Sequence, residues 1–292
     1  MKILIPVISF HYLTGAELYV YELARELMRR GHRVTVAAMQ VDGEMAAPAK
    51  AAGIRAFRFE DVPRETFDLI HANEAIPTQW ALEQWPGTPI LCSVHSQYPC
   101  EAPVADGRIR HYICVRPEVQ EKITRVDGVP AEKTSVIYNP IDFTRFHSGV
   151  PEPLHSRRVL FCGTIDPLRK KSIQDLIQRS VGEGFTLRMV GRKADEYDGY
   201  IEGLPPNVCW YDQTWDIENH VRWCDETAGI LLGRTTIEGW ACGKPGWIYA
   251  IDLAGNIKSR MLHEPPDMER FDNRHVVDQI EKVYVSVTEI SQ

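Results

Sequence analysis

Apolar and polar residues fall in blocks along this chain, and the blocks predict a repeated strand–helix unit. The run Lys2–Ile8 is almost wholly apolar, as a parallel strand buried on both faces requires. A glycine turn at Thr14–Glu17 follows, and then Leu18, Tyr21, Leu23, Leu27 and Met28 at helical spacing, closed by Gly31-His32. Val34–Ala38 predicts the next strand, which makes a βαβ unit. Further strands are expected in 51–59 (after a turn), Asp68–His71, Ile90–His95 and Arg108–Val115, with helices over Ile76–Gln84 and Pro117–Thr124. The proline-rich, polar stretch Val150–Ser156 reads as a linker.

After it the pattern restarts. Arg158–Gly163, Leu187–Val190 and Asn207–Tyr211 read as strands, and Ser172–Arg179 and Asp216–Asp225 as helices. Ile230–Leu232 reads as a buried strand, followed by a helix that Thr235 or Thr236 caps and Gly243-Lys244-Pro245 ends. One short strand, Gly246–Ile251, and a tail helix near Asn273–Thr288 complete the series. The fold class is therefore α/β, with two parallel-sheet domains. The expected division is residues 1–150, residues 151–272 and a terminal helix in 273–292.

Composition narrows the function classes. With 292 residues, 44% hydrophobic and 25% charged, the chain has the make-up of an ordinary globular protein with room for two cores. A net charge of −7 argues against broad nucleic-acid binding, which needs a basic face, but it leaves room for a local basic groove. No apolar run approaches the roughly 18 residues of a membrane span, and the opening run reads as a first strand in place of a signal peptide. The seven cysteines include no C-x-x-C pair, which suggests reduced thiols in a cytoplasmic protein and no zinc site. Dinucleotide, P-loop, zincin and D-x-D signatures are absent, so no metal or cofactor is expected.

The candidate chemistry sits where strands turn into helices, because in open α/β sheets ligands bind at the carboxyl ends of the strands. Glu238 is expected in the first turn of such a helix. There a carboxylate either complements the helix dipole, at about 0.3–1 kcal/mol, or meets a ligand. In Gly163–Lys171 (GTIDPLRKK), three adjacent cations precede a helix, either as a solvated basic turn or as an anion cradle. His95 at a strand end is either a hydrogen-bonded structural residue or a site residue.

These stretches resemble the retaining family-4 glycosyltransferases of GT-B architecture over nearly the whole chain. TGAELYVYELARELMRRGHRVTV resembles that family's amino-terminal "G-G-A-E … L-A-x-x-L-x-x-x-G-H-x-V", with Thr14 in place of the first glycine. SVIYNPIDFTRF is similar to its junction motif, and TTIEGWACGKP to its "E-A-x-A-x-G-x-P". The resemblance implies two Rossmann-like domains facing a cleft, the second holding a nucleotide diphospho-sugar. It assigns Glu238 to the ribose hydroxyls and brings the backbone of Thr236 and Ile237 near the diphosphate. Gly15, Ala16, Gly163, Gly191, Arg234 and Thr235 complete the implied donor site. Thr164 stands where the family has arginine. The family lysine maps to Lys171 if two residues are inserted and to Arg169 if they are not, with Lys170 between. Leu231 takes the place of an earlier family glutamate, so a sugar-contacting loop is shortened. His95 and Lys171 are the implied catalytic residues.

The implied activity is metal-independent transfer of a hexose or related sugar with retention of configuration. The acceptor is left open among glycan, lipid-linked sugar, small molecule and macromolecule, with room for peripheral membrane contact. The alternatives are a nucleotide-sugar or glycan-binding protein that has lost turnover, and a sugar-nucleotide epimerase of the same fold.

Overall fold

The computed structural model describes residues 1–97, 101, 106–149, 156–251 and 257–289. Contacts divide the chain into two compact units, Met1–Pro140 with Glu269–Gln292, and Ile141–Met268. The expected break at 150 lies at the edge of a stretch outside the described residues. The segment from Ile141 goes with the second unit, where Arg145 bonds Glu218 and the Trp215 carbonyl.

The first unit begins with β1 (Lys2–Pro6), α1 (Gly15–Arg29), β2 (Arg33–Ala38), α2 (Ala46–Ala51) and β3 (Arg55–Arg58). It continues with β4 (Leu69–Asn73), α3 (Ala75–Gln84), β5 (Ile90–Val94), β6 (Ile109–Cys114), α4 (Pro117–Arg125) and β7 (Thr134–Val136). The seven strands form one parallel sheet in the order β3-β2-β1-β4-β5-β6-β7. Strands β1, β4 and β5 are buried on both faces, apart from the half-buried Lys2, which is why their sequences read as apolar runs. Helix α2 lies just before the expected turn, over a stretch for which no element was expected. Its Pro48 falls in the first turn, where a missing N–H costs nothing, so the proline does not break it.

The second unit contains β8 (Arg158–Cys162), α5 (Lys170–Glu183), β9 (Thr186–Val190), β10 (Val208–Tyr211), α6 (Ile217–Trp223), β11 (Glu226–Ile230), α7 (Arg234–Ala241), β12 (Gly246–Ile251) and β13 (Ile257–Leu262). Its sheet order is β10-β9-β8-β11-β12-β13, parallel except for antiparallel β13. Two expectations need correction. Strand β13 was not foreseen, because its alternation of half-buried and exposed positions is that of an edge strand with no continuous apolar run. The strand expected at Ile230–Leu232 lies earlier: β11 ends at Ile230, and Leu231 takes a left-handed φ of 59° that no strand residue can hold.

Helix α8 (Asn273–Glu289) belongs to the first unit and is nailed down there by polar contacts. Arg30 reaches Asp278, Glu281 and the Arg274 carbonyl, and Arg110 donates to the Val287 carbonyl at 2.6 Å. Among the described residues, no helix is long and apolar enough to cross a membrane.

Candidate functional site

Each sheet reverses its strand order once, between β1 and β4 in the first unit and between β8 and β11 in the second. At such a point the connections leave in opposite directions and open a crevice at the carboxyl ends of the strands. The residues singled out from the sequence fall at these two places, each within its own unit.

In the second unit, the turn after β8 and the turn after β9 touch. Gly191 has φ +155°, and a Cβ there would stand 2.0 Å from the Gly163 carbonyl oxygen, so only glycine closes this contact. Beside it, the Thr235 hydroxyl donates to the Cys162 carbonyl at 3.1 Å, which ties the start of α7 to the end of β8. Gly239 lets α7 lie against β11, since a Cβ would stand 2.7 Å from Thr227 Cγ2. Gly163, Thr164, Gly191, Thr235, Thr236 and Ile237 thus come together at one sheet edge.

The charged residues there are arranged differently from the expectation. Helix α5 starts at Lys170, two residues earlier than read from the sequence, so Lys170 and Lys171 occupy its first two positions. A helix amino-terminus is a positive pole, and cations at it are unfavourable unless an anion is near. Arg169 is ion-paired with Asp166, Lys170 Nζ lies 2.6 Å from Asp198, and Lys171 is exposed.

Helix α7 is capped by Gly233, with Arg234 as its first residue, so neither Thr235 nor Thr236 is its cap. Glu238 therefore lies beyond the first turn, where dipole complementation has fallen off. Its side chain is 3% exposed and its Oε1 accepts from Arg234 Nε at 3.1 Å. Arg234, implied as a donor-site residue, is thus a helical residue held against Glu238.

In the first unit, Gly15 and Ala16 are the first residues of α1. The buried Glu17 folds back to accept the N–H groups of Thr14 at 3.2 Å and Tyr12 at 3.3 Å. Across the crevice Glu74 accepts the Ile8 N–H at 2.9 Å and adopts a left-handed φ of 67°, a conformation a non-glycine residue holds only when its surroundings impose it. Burial raises the carboxyl of Glu74 to about 7 and pushes that of Glu17 upward too.

His95 follows β5 and is half-buried, with Nε2 2.9 Å from Asn73 Oδ1 and the Tyr19 ring edge-on at 4.7 Å. Desolvation, and after it the nearby Arg116 guanidinium, lowers its pKa to about 4. His71 is fully buried between Tyr284 of α8 and Ser93, at 2.6 and 2.7 Å, and Tyr19 closes the chain on Ser93 at 3.0 Å. Burial lowers His71 to about 3, so it is a neutral link in a packed network.

Glu74, Ser93 and Tyr284 were not found from the sequence. A single Glu after a strand and a Tyr inside an amphipathic helix carry no local signal. The strained backbone of Glu74 and the long-range pairing of Tyr284 with His71 exist only in the fold.

Residues 13–145 match the family model of Glycosyltransferase Family 4. The whole fold is that of GT-B glycosyltransferases. The chain is similar to HepE of Anabaena in complex with UDP-glucose, at 19% identity and TM-score 0.77, over 98% of this chain and 100% of that one. A glycosyltransferase from Rickettsia africae matches at 13% identity and TM-score 0.73, over 98% of both chains. Sucrose-phosphate synthase from Thermosynechococcus elongatus matches at 15% and 0.72, over 99% and 100%. No curated protein sequence matches the chain.

Proposed function

We propose that the chain transfers a sugar from a nucleotide diphospho-sugar to an acceptor hydroxyl, with retention of configuration and without a metal ion. The family match over residues 13–145 and the likeness to a UDP-glucose-bound GT-B protein support sugar transfer from such a donor. The observation that carries the reading is the convergence at the edge of β8, β9 and β11. Close-packed backbone at Gly163 and Gly191, the first turn of α5 with Lys170 and Lys171, and the start of α7 meet there.

The chemistry asks for such an arrangement. As the glycosidic bond to phosphate breaks, negative charge grows on the leaving diphosphate and positive charge on the anomeric carbon. Preorganised donors aimed at that oxygen lower the barrier most, and helix amino-termini with lysine and arginine supply them. A diphosphate would also relieve the conflict between Lys170, Lys171 and the dipole of α5. The pairs that hold Arg169 and Lys170 at present are partly exposed, and such pairs are worth only about 0–1 kcal/mol, so phosphate oxygens can take the place of Asp166 and Asp198. Retention then follows from attack on the face the phosphate leaves, with the phosphate accepting the acceptor's proton.

The experiment is a mass-spectrometric and NMR assay of UDP-glucose turnover with and without EDTA. The reading expects a glucoside or free glucose of unchanged anomeric configuration, and full activity in chelator. Activity lost in EDTA and restored by magnesium or manganese would overturn the metal-free account.

A further inference from the structure

The segment that joins β9 to β10 folds back as a strap over the start of α5, within the second unit. Its base is fixed. The Ile165 N–H donates to the Arg192 carbonyl at 2.9 Å, the Ala194 N–H donates to the Ile165 carbonyl at 3.0 Å, and Ile201 is buried in the core of the unit. Between these anchors no residue of the tip, 195–200, is buried. Tyr197 turns back on the strap itself, where its hydroxyl accepts the Ile201 N–H at 3.0 Å. Three contacts tie the tip to residues 166–170. Lys170 Nζ donates to the Asp198 carboxylate at 2.6 Å and lies 5.6 Å from the centre of the Tyr200 ring, and the Tyr200 hydroxyl donates to the Asp166 carbonyl at 3.0 Å. The charges match as well. Residues 192–204 carry Asp195, Glu196, Asp198 and Glu202 against Arg192 and Lys193, and the run they meet is Arg169, Lys170 and Lys171. The bond from Lys170 holds the Asp198 carboxyl below the usual carboxylate range, so the tip is anionic at neutral pH.

Two of the three ties end on one ammonium group. An anion that takes Lys170 removes both at once, and its own charge repels the carboxylates of the tip. We propose that the strap is an anion-sensitive latch, in which Asp198 occupies Lys170 as a built-in competitor of phosphate and the tip is released when a diphosphate binds. This rests on the glycosyl-transfer reading for the placement of the diphosphate at the start of α5. The exchange is feasible because a half-exposed ion pair is weak and a diphosphate carries more charge than one carboxylate. A ligand shifts such an equilibrium only by its different affinity for the two states, and here the difference is the tie between Asp198 and Lys170. The latch therefore weakens every anion that binds at Lys170, and every such anion loosens the tip while the base stays in place.

Calorimetry of the full chain with inorganic pyrophosphate and with UDP, at low salt, tests the competition. Asp198→Asn keeps the shape and removes the charge, so both ligands should bind about 2- to 5-fold tighter, the span of one half-exposed ion pair. In a Lys170→Met background the same substitution should give no gain, because the carboxylate and the ligand compete only for that ammonium. Hydrogen exchange read by mass spectrometry should show 195–200 exchanging faster in the wild type with saturating UDP than without it. In Asp198→Asn the exchange should already be fast without ligand. Equal affinity of wild type and Asp198→Asn, the same gain in the Lys170→Met background, or a tip better protected under bound UDP would each overturn the latch and leave the diphosphate site standing. Failure of pyrophosphate and UDP to bind either protein would overturn the diphosphate site, and the latch with it.

Discussion

The two units carry their chemistry in opposite ways. In the first, the polar groups at the switch point are buried and chained together: Tyr284 to His71 to Ser93 to Tyr19, with Asn73 holding His95. In the second, apart from the buried Arg234–Glu238 pair, the polar groups are cations on exposed or half-exposed side chains, set in a turn and the first turn of a helix, with carboxylates as partners. A buried network has one arrangement, because each unsatisfied member costs about 1–3 kcal/mol. Exposed ion pairs are nearly free to exchange. The first unit is suited to hold a neutral ring in one orientation, and the second to hand its cations over to an incoming anion. Substitutions in the first should therefore be read out as stability, and in the second as ligand affinity or turnover, except where backbone packing itself forms the second site.

That exception should give the largest effect. Gly191→Ala places a Cβ against the Gly163 carbonyl at a φ other residues avoid, so it should cost on the order of 4 kcal/mol or more and unfold the second unit. Circular dichroism melts of wild type and variant decide it, and a shift of only a few degrees would refute the close contact.

His71→Phe should come next. It leaves the hydroxyls of Tyr284 and Ser93 short of a partner and should cost about 2–3 kcal/mol in denaturant unfolding. Loss of catalysis with stability unchanged would break the comparison, since it would make His71 a working residue.

Glu238→Gln lies between the two kinds of region. It removes the countercharge of buried Arg234 and should cost about 1–3 kcal/mol of stability. If Glu238 also accepts the ribose hydroxyls, the variant should lose most of the calorimetric difference between a nucleotide and its 2′,3′-dideoxy analogue. Equal discrimination in both proteins would leave Glu238 as the partner of Arg234 alone.

The pH dependence sharpens the contrast. His71 and His95 are held neutral, near 3 and 4 against an ordinary 6.5. As pH falls below 6.5, the unfolded chain takes up protons that the folded one refuses, so stability drops until pH nears 3–4. Glu74 acts oppositely: between 4.5 and about 7 the folded state holds the extra proton, so its contribution declines as pH rises. Denaturant midpoints from pH 4 to 8 should show both limbs, and Glu74→Gln should weaken the high-pH limb, to which Glu17 also contributes, and leave the histidine limb in place.

The smallest stability effect belongs to Lys171→Ala, within about 0.5 kcal/mol, since the side chain is exposed. Turnover should nevertheless fall more than nucleoside binding does, because its charge matters most as the bond breaks. Unchanged turnover, with loss in Arg169→Ala, would move the phosphate contact to Arg169.

Sequence patterns alone determined the parallel α/β architecture, because strands buried on both faces must be continuous apolar runs and the helices between them must be amphipathic. They also placed the glycines of the turns, the cation run and Glu238 at the carboxyl edge, since turn and helix-boundary preferences act over a few neighbouring residues. What the tertiary structure decided acts across long separations. The Arg234–Glu238 pairing depended on which residue caps α7, and a shift of one or two positions in a helix start changes every side chain's direction. The edge strand β13, the strain at Glu74, the plug of Tyr284 into His71 and the hydrogen bond of Asn73 to His95 depend on segments up to 213 residues apart. Such pairings leave no local period or spacing behind, because their partners are far apart along the chain.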